Sequence, residues 1–387
     1  MGDTALVAIR LPNSKLAREL VRAWDQGLAV LPVDPALPEA EVGRILDELC
    51  PARLIDSEGR HDLAGGISVS DDVALVVTTS GTSGPPKGVE LSHGALEQSA
   101  RAVMAGLEAD SGQRWLCCLP MSRIAGLAIL VRSRISGTVP VIHDRFDEGL
   151  IAAERSASLI SLVPTTLGRL LDARVDLSSY SAVLVGGAAI PPTILDRARD
   201  AGARVVTTYG MTETCGGCVH DGWPLRGVEI ATESDRILIR GPMLMNGYRL
   251  QPELSAEALV EGWLRTSDRG VVDENGKLRV LGRLDDVIIT GGVKVSPTEV
   301  ERLLCAHPHV ADAAVLGVPD VEWGQAVAAL VVPAGGQRPS LEELRSFIAA
   351  RAGSHQAPKS MQLVREIPRD SGGKVQRRQA LAQLFSQ

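Results

Sequence analysis

The chain has 387 residues, with 40 Lys and Arg against 47 Asp and Glu, a net charge of −7 and 45% hydrophobic residues. This length buries a large core and predicts more than one globular domain. The acidic balance argues against a general nucleic-acid-binding surface, and with no N-terminal apolar leader and no bilayer-length apolar run the cytoplasm is the expected compartment.

Apolar runs alternate with helical patterns from about residue 28 to 210: Ala29–Val33, Val73–Val77, Ser161–Val163, Ala182–Val185 and Arg204–Thr207. The alternation predicts a layered α/β domain. The second run leads into Thr78-Thr79-Ser80-Gly81-Thr82-Ser83-Gly84-Pro85-Pro86-Lys87-Gly88, and Ser92 is placed to cap the helix that follows. A strand, a loop of hydroxyls and glycines, and then a lysine make a phosphate-holding loop. Glycine frees backbone N–H groups to point at the anion, and the lysine adds charge. The loop is not a Walker A motif, because Pro86 and Gly88 flank the lysine where that motif needs Gly and Ser or Thr.

Cys117 and Cys118 lie in the apolar run Trp115–Leu119 and read as strand packing. Leu184-Val185-Gly186-Gly187-Ala188 ends a strand in glycines, where a flat base has room against the backbone. Tyr209-Gly210-Met211-Thr212-Glu213-Thr214 offers a ring to stack, hydroxyls for an oxyanion, and a carboxylate to hold Mg²⁺ against phosphate. Cys215 and Cys218 have metal or redox spacing, but no second pair accompanies them, and six cysteines are too few for a disulfide scaffold.

After residue 225 the strands become shorter: Arg236–Arg240, Gly270–Val272 and Leu278–Leu281, with Asp273–Gly276 as a hairpin turn. Asp268, in Trp263–Asp268, is suited to accept two hydrogen bonds from a ribose diol, and Arg283 to meet the same ribose or a phosphate. Residues 282–294 read as a junction, which divides the chain into a large domain of residues 1–283 and a small α+β domain of residues 284–387. In the small domain Ser296–Glu299 and Ser340–Glu343 are capping boxes, and Ala313–Val318, Val327–Val332 and Met361–Val364 are strand candidates. Pro368–Val375 is a glycine-flexible loop whose Lys374 can neutralise charge on a reacting oxygen.

In this order the motifs resemble the adenylate-forming superfamily of acyl-CoA synthetases, non-ribosomal adenylation domains and luciferases, from about residue 73 to the end and more weakly from Gly27. The resemblance implies that Thr79, Ser80, Gly81, Thr82, Ser83, Gly84 and Lys87 cradle the β,γ-phosphates of ATP. It implies that Gly186, Gly187 and Ala188 line the adenine site, with Tyr209 stacked on the base and Gly210 beside it. Thr212 would bond α-phosphate or carboxylate oxygens, Glu213 would ligate Mg²⁺, Asp268 and Arg283 would hold the ribose, and Lys374 would contact carboxylate and α-phosphate. Asp285 matches the hinge about which the small domain rotates, and Gly291 and Gly292 match the path of the CoA pantetheine. The implied reaction has two halves. Acid and ATP give acyl-AMP and pyrophosphate; CoA then displaces AMP.

Only about 75 residues precede the phosphate loop, so the N-terminal subdomain reads as trimmed. With Leu119–Leu127 and Ser161–Leu167, this makes the compact o-succinylbenzoate–CoA ligases of menaquinone biosynthesis the nearest resemblance. The acid pocket is then expected near Arg123, Gly126 and Gly216. Arg123 stands where those ligases carry histidine, and is either a ligand for a second carboxylate or a solvated wall residue. Fatty, aryl and dicarboxylic acids all stay open as substrates, as does a separate carrier-protein thiol in place of CoA. A non-catalytic nucleotide-binding relative is a third reading, opposed by the presence together of Lys87, Glu213, Asp268, Arg283 and Lys374. Nothing in the sequence sets an oligomeric state.

Overall fold

The computed structural model describes residues 3–79, 86–369 and 373–385. Two seven-stranded sheets form its larger part. In the first, Leu6–Ile9 lies between Ala29–Pro32 and Arg53–Ile55, and Ala29–Pro32 pairs with Val73–Thr79, all parallel. Leu6–Ile9, Ala29–Pro32 and Val73–Thr79 are almost wholly buried and read as continuous apolar runs, as parallel strands covered on both faces do. Lys87–Ser92 folds back antiparallel on Val73–Thr79, and Gly247–Tyr248 adds the edge.

The second sheet runs Val141–Ile142, Trp115–Cys117, Leu159–Leu162, Ala182–Gly186 and Val205–Met211 in parallel, then turns antiparallel at Gly216–His220. Helices His93–Gly106 and Ile124–Ile135 contribute buried side chains to the core beside both sheets. Ser92 caps the first of them as expected, its Oγ accepting from Ala95 N at 3.1 Å. A third sheet is antiparallel and carries the long strand Trp263–Val272, paired with Arg236–Arg240 and Leu278–Arg283. Asp273 closes the expected hairpin turn, its Oδ1 accepting from Asn275 N and Lys277 N.

From Ile288 onward the chain builds a separate hydrophobic cluster around Gly324–Pro333 and Val310–Asp320, covered by helices Pro297–Cys305 and Leu341–Ala352. The Ser340–Glu343 capping box forms. The box expected at Ser296 does not. Its Oγ donates instead to Leu281 O, across the junction between the third sheet and this unit. Local pattern gave the residue a cap partner, but tertiary packing supplied a stronger one. No helix among the described residues is long and apolar enough to cross a membrane.

Candidate active site

Ser80, Gly81, Thr82, Ser83 and Gly84 lie outside the described residues. Their flanks are in place: Thr79 stands opposite Lys87 in the antiparallel pair. Lys87 Nζ lies 5.7 Å from the centre of the Tyr248 ring, and Tyr248 donates its hydroxyl to Glu213 Oε1 at 2.9 Å. The loop lysine and the expected magnesium ligand are therefore held on two sides of one tyrosine. Thr212 opens the tight turn Thr212–Thr214 that presents Glu213, and Met245 N bonds Glu213 O at 2.9 Å.

Tyr248 was not legible in the sequence, since no local pattern marks it. It is fixed by its neighbour Arg249, only 2% exposed, whose guanidinium donates to Leu49 O, Ser68 O and Ile67 O and pairs with Glu90. Glu213→Gln keeps the acceptor for Tyr248 but removes the charge. We expect turnover to fall by at least about a hundredfold with little change in melting temperature, as read by pyrophosphate release and calorimetry.

The expected ribose pair meets as well. Asp268 and Arg283 are partners in neighbouring strands, with Arg283 Nη1 at 3.4 Å from Asp268 Oδ1 and the Tyr209 hydroxyl donating to Asp268 Oδ2 at 2.9 Å. Burial and the Asp268 charge push the Tyr209 phenol far above its usual range, so it stays a donor. Arg283 also reaches Asp285, whose side chain is exposed.

The expected glycines lie where strands come close. A Cβ at Gly186 would lie 2.6 Å from Thr208, its partner in the next strand, and one at Gly210 would lie 2.0 Å from Gly216 O. These two permit close approach of strands. Gly187 adopts φ +85°, and Ala188 follows it beside the Lys374 loop. Gly126 is likewise a packing residue, with Pro120 O 2.5 Å from the place of its absent Cβ. Gly216 faces the helix Ile124–Ile135: a Cβ there would meet Ala128 and Ile124 at 3.8 and 3.9 Å.

Arg123 heads that helix and donates to Thr78 O at 3.4 Å, beside the phosphate loop. The buried cation of this helix is another residue. Arg132 lies two turns further, on the same helix face as Ala128, and is 3% exposed. It stacks 5.0 Å from the Trp115 ring. Among the described residues no carboxylate pairs with it, and its Nε has no hydrogen-bond partner. Ser133 Oγ, Trp115 Nε1 and both nitrogens of His220 are also buried without partners. Burial lowers the Arg132 pKa only to about 10, so it remains charged at neutral pH.

His220 ends the strand that Gly216 begins, and burial together with the Arg132 charge lowers its pKa to about 4. A depressed histidine binds fewer protons folded than unfolded. Stability is therefore complete above pH 6.5 and is lost as pH falls towards 4. Across that window the wild type should lose about 3 kcal/mol more than His220→Gln, measured by denaturant titration at stepped pH.

Cys117, Cys118, Cys215 and Cys218 are buried with thiol pKa values pushed up by desolvation, in keeping with packing rather than redox or metal use. His307, His309 and Glu343 cluster closely, but His307 Nδ1 accepts the His309 N–H and Glu343 Oε1 lies 2.9 Å from His309 Nδ1, a satisfied network. Gly291 and Gly292 form the turn between Ile288–Thr290 and Val293–Val295; a Cβ on Gly291 would strike the Trp323 ring at 2.4 Å.

Lys374 is exposed on the C-terminal loop, which rests on the large sheet unit: a Cβ on Gly373 would lie 3.6 Å from Val163 and 3.7 Å from Ala188 and Thr165. The chain thus places Lys374, Ala188, Asp268–Arg283 and Lys87–Tyr248–Glu213 around the carboxyl ends of the second sheet, where α/β sheets bind nucleotides.

Comparison with known proteins agrees with this arrangement. Residues 63–249 match the AMP-binding enzyme family and residues 299–374 match the AMP-binding enzyme C-terminal domain. A probable 2-succinylbenzoate–CoA ligase of Mycobacterium tuberculosis is 44% identical over 364 residues, covering 89% of this chain and 94% of that protein. The chain belongs to the AMP-binding enzymes. A feruloyl-CoA synthase of Amycolatopsis is 32% identical over 388 residues, covering 91% of this chain and 78% of the other. The o-succinylbenzoate CoA synthetase of Bacillus subtilis, solved with the acyl-adenylate OSB-AMP, superposes with a TM-score of 0.85 at 29% identity, over 97% of this chain and 87% of that one. The same enzyme solved with ATP and magnesium gives a TM-score of 0.84 at 29% identity, over 97% and 89%. The chain therefore has the adenylate-forming fold of these synthetases.

Proposed function

We propose that this AMP-binding enzyme is an ATP-dependent acid–CoA ligase whose acid is 2-succinylbenzoate, acting in menaquinone biosynthesis. The observation that carries the choice of acid is Arg132. A guanidinium buried without a carboxylate partner is costly, and removing a counter-ion from such a site typically costs several kcal/mol. A substrate with two carboxylates supplies that counter-ion with the one it does not activate. A monocarboxylic fatty acid would leave the charge unpaired. Arg123 is reassigned by the same reasoning to the wall near the phosphate loop, where it bonds Thr78 O.

In the first half-reaction a carboxylate oxygen attacks the α-phosphorus of ATP, and the bond to the bridging oxygen breaks to release pyrophosphate. Lys374 and the Thr212 hydroxyl neutralise charge at the reacting oxygens, while Asp268 and Arg283 fix the ribose so that attack is in line. Lys87 faces the β,γ-phosphates. Glu213 fits a magnesium site: it is a hard oxygen donor held beside Lys87 by the Tyr248 hydroxyl. Magnesium bound there would offset phosphate charge. In the second half-reaction the CoA thiolate attacks the acyl carbon, the bond to the AMP oxygen breaks, and the thiol proton goes to solvent. The small unit from about residue 284 turns at Asp285 between the halves, bringing the Gly291–Gly292 turn towards the acyl group in place of Lys374. The cytoplasm, where ATP and CoA are supplied, is the compartment this reaction requires.

The test is pyrophosphate release from a panel of acids with and without CoA. 2-Succinylbenzoate should exceed 4-oxo-4-phenylbutanoate, which lacks one carboxylate, by roughly a hundredfold or more in kcat/KM. Equal turnover of the two, or preference for a monocarboxylic aryl acid such as ferulate, would overturn the choice of acid.

A further inference from the structure

The Lys374 loop is tied at three points. Arg369 donates to both oxygens of Asp312, at 2.8 and 3.3 Å, and to Gly373 O at 3.0 Å. Gln376 N bonds Pro368 O at 2.8 Å, and Arg369 and Val375 pair as an antiparallel bridge. Arg377 then reaches back to Asp286 at 2.5 Å and donates to Val315 O at 3.3 Å. Arg369 and Arg377 thus bracket Lys374, and one of them ends on the residue that follows Asp285.

We infer that the Asp286–Arg377 ion pair is a latch that couples the junction to the Lys374 loop, so that Arg377 and Asp286 are positioning residues for adenylation. This rests on the acyl-adenylate reading and on Lys374 as the lysine that serves it. Misplacing a charge by about 1 Å can cost a hundredfold in rate. Arg369 ties the end of the loop within the small unit. Arg377 ties the residues after Lys374 to the segment at which that unit joins the rest of the chain. Asp286 lies on the small-unit side of Asp285, so the pair travels with the loop when the unit turns. The orientation of the junction is then passed to Lys374 rather than lost in the loop. Both partners are partly shielded from water, with 30% and 19% of their side chains exposed, which limits screening of the pair.

Arg377→Ala and Asp286→Asn are each assayed in the full chain, with the two half-reactions measured separately. Acyl-adenylate formation should fall tenfold or more in kcat with KM for ATP within about twofold. CoA attack on supplied acyl-adenylate should stay within about twofold, and Arg377→Lys should recover a large part of the loss. Asp286→Asn keeps size and shape, so it reads the latch even if Arg377→Ala is poorly folded. Equal loss in both half-reactions, or no loss in either variant, overturns the latch. If the unaltered chain forms no acyl-adenylate, the reaction itself is misassigned; normal adenylation by the wild type with unaffected variants removes only the latch.

Discussion

Lys374→Ala lowers acyl-adenylate formation by roughly a hundred- to a thousandfold, the usual effect of deleting one charge-stabilising group at a reacting oxygen. CoA attack on supplied acyl-adenylate should remain within about threefold. The asymmetry follows from placement. The loop is seated beside Ala188 and Thr165, at the nucleotide end of the second sheet, while the Gly291–Gly292 turn packs on Trp323 within its own unit. One orientation therefore serves one half-reaction. Stopped-flow measurement of each half decides it, and equal slowing of both would contradict a lysine confined to adenylation.

The second large effect is at Arg132. Arg132→Met should lower kcat/KM for 2-succinylbenzoate by about a hundred- to a thousandfold, while turnover of 4-oxo-4-phenylbutanoate stays the same or rises. The ligand-free variant should also melt no lower than wild type, because a buried unpaired charge has been exchanged for an apolar chain of similar volume. Arg123→Ala is the control and should affect both acids alike, since its guanidinium faces Thr78 O. Loss of both acids together in Arg132→Met would return the residue to packing against Trp115.

Much of the fold was legible because parallel strands covered on both faces are plain apolar runs. Val73–Thr79 and Ala182–Gly186 extend only a residue or two beyond the expected ones. The pairing of Asp268 with Arg283 was legible because the two fall opposite each other across a readable hairpin turn. Gly186 and Gly210 were harder to read, because the residue type reports only that something approaches the backbone; at both, the neighbouring strand does so. Arg132 and Tyr248 were hidden for a different reason. Arg132 ends an apolar helix in the last turn, where an arginine ordinarily faces solvent and complements the helix dipole. Here it is buried instead, stacked on the Trp115 ring. Tyr248 meets Glu213 across 35 residues of chain, a juxtaposition made by Arg249 docking under the first sheet.

Activation of the acid takes place on the α-phosphorus of ATP. Its most direct measurement uses 2-succinylbenzoate labelled with ¹⁸O in its carboxylates, turned over with ATP, Mg²⁺ and CoA, followed by mass analysis of the phosphate products. Attack on the α-phosphorus carries one labelled oxygen into AMP when CoA displaces it, with unlabelled pyrophosphate. Label in inorganic phosphate accompanied by ADP, or AMP free of label, would contradict an acyl-adenylate.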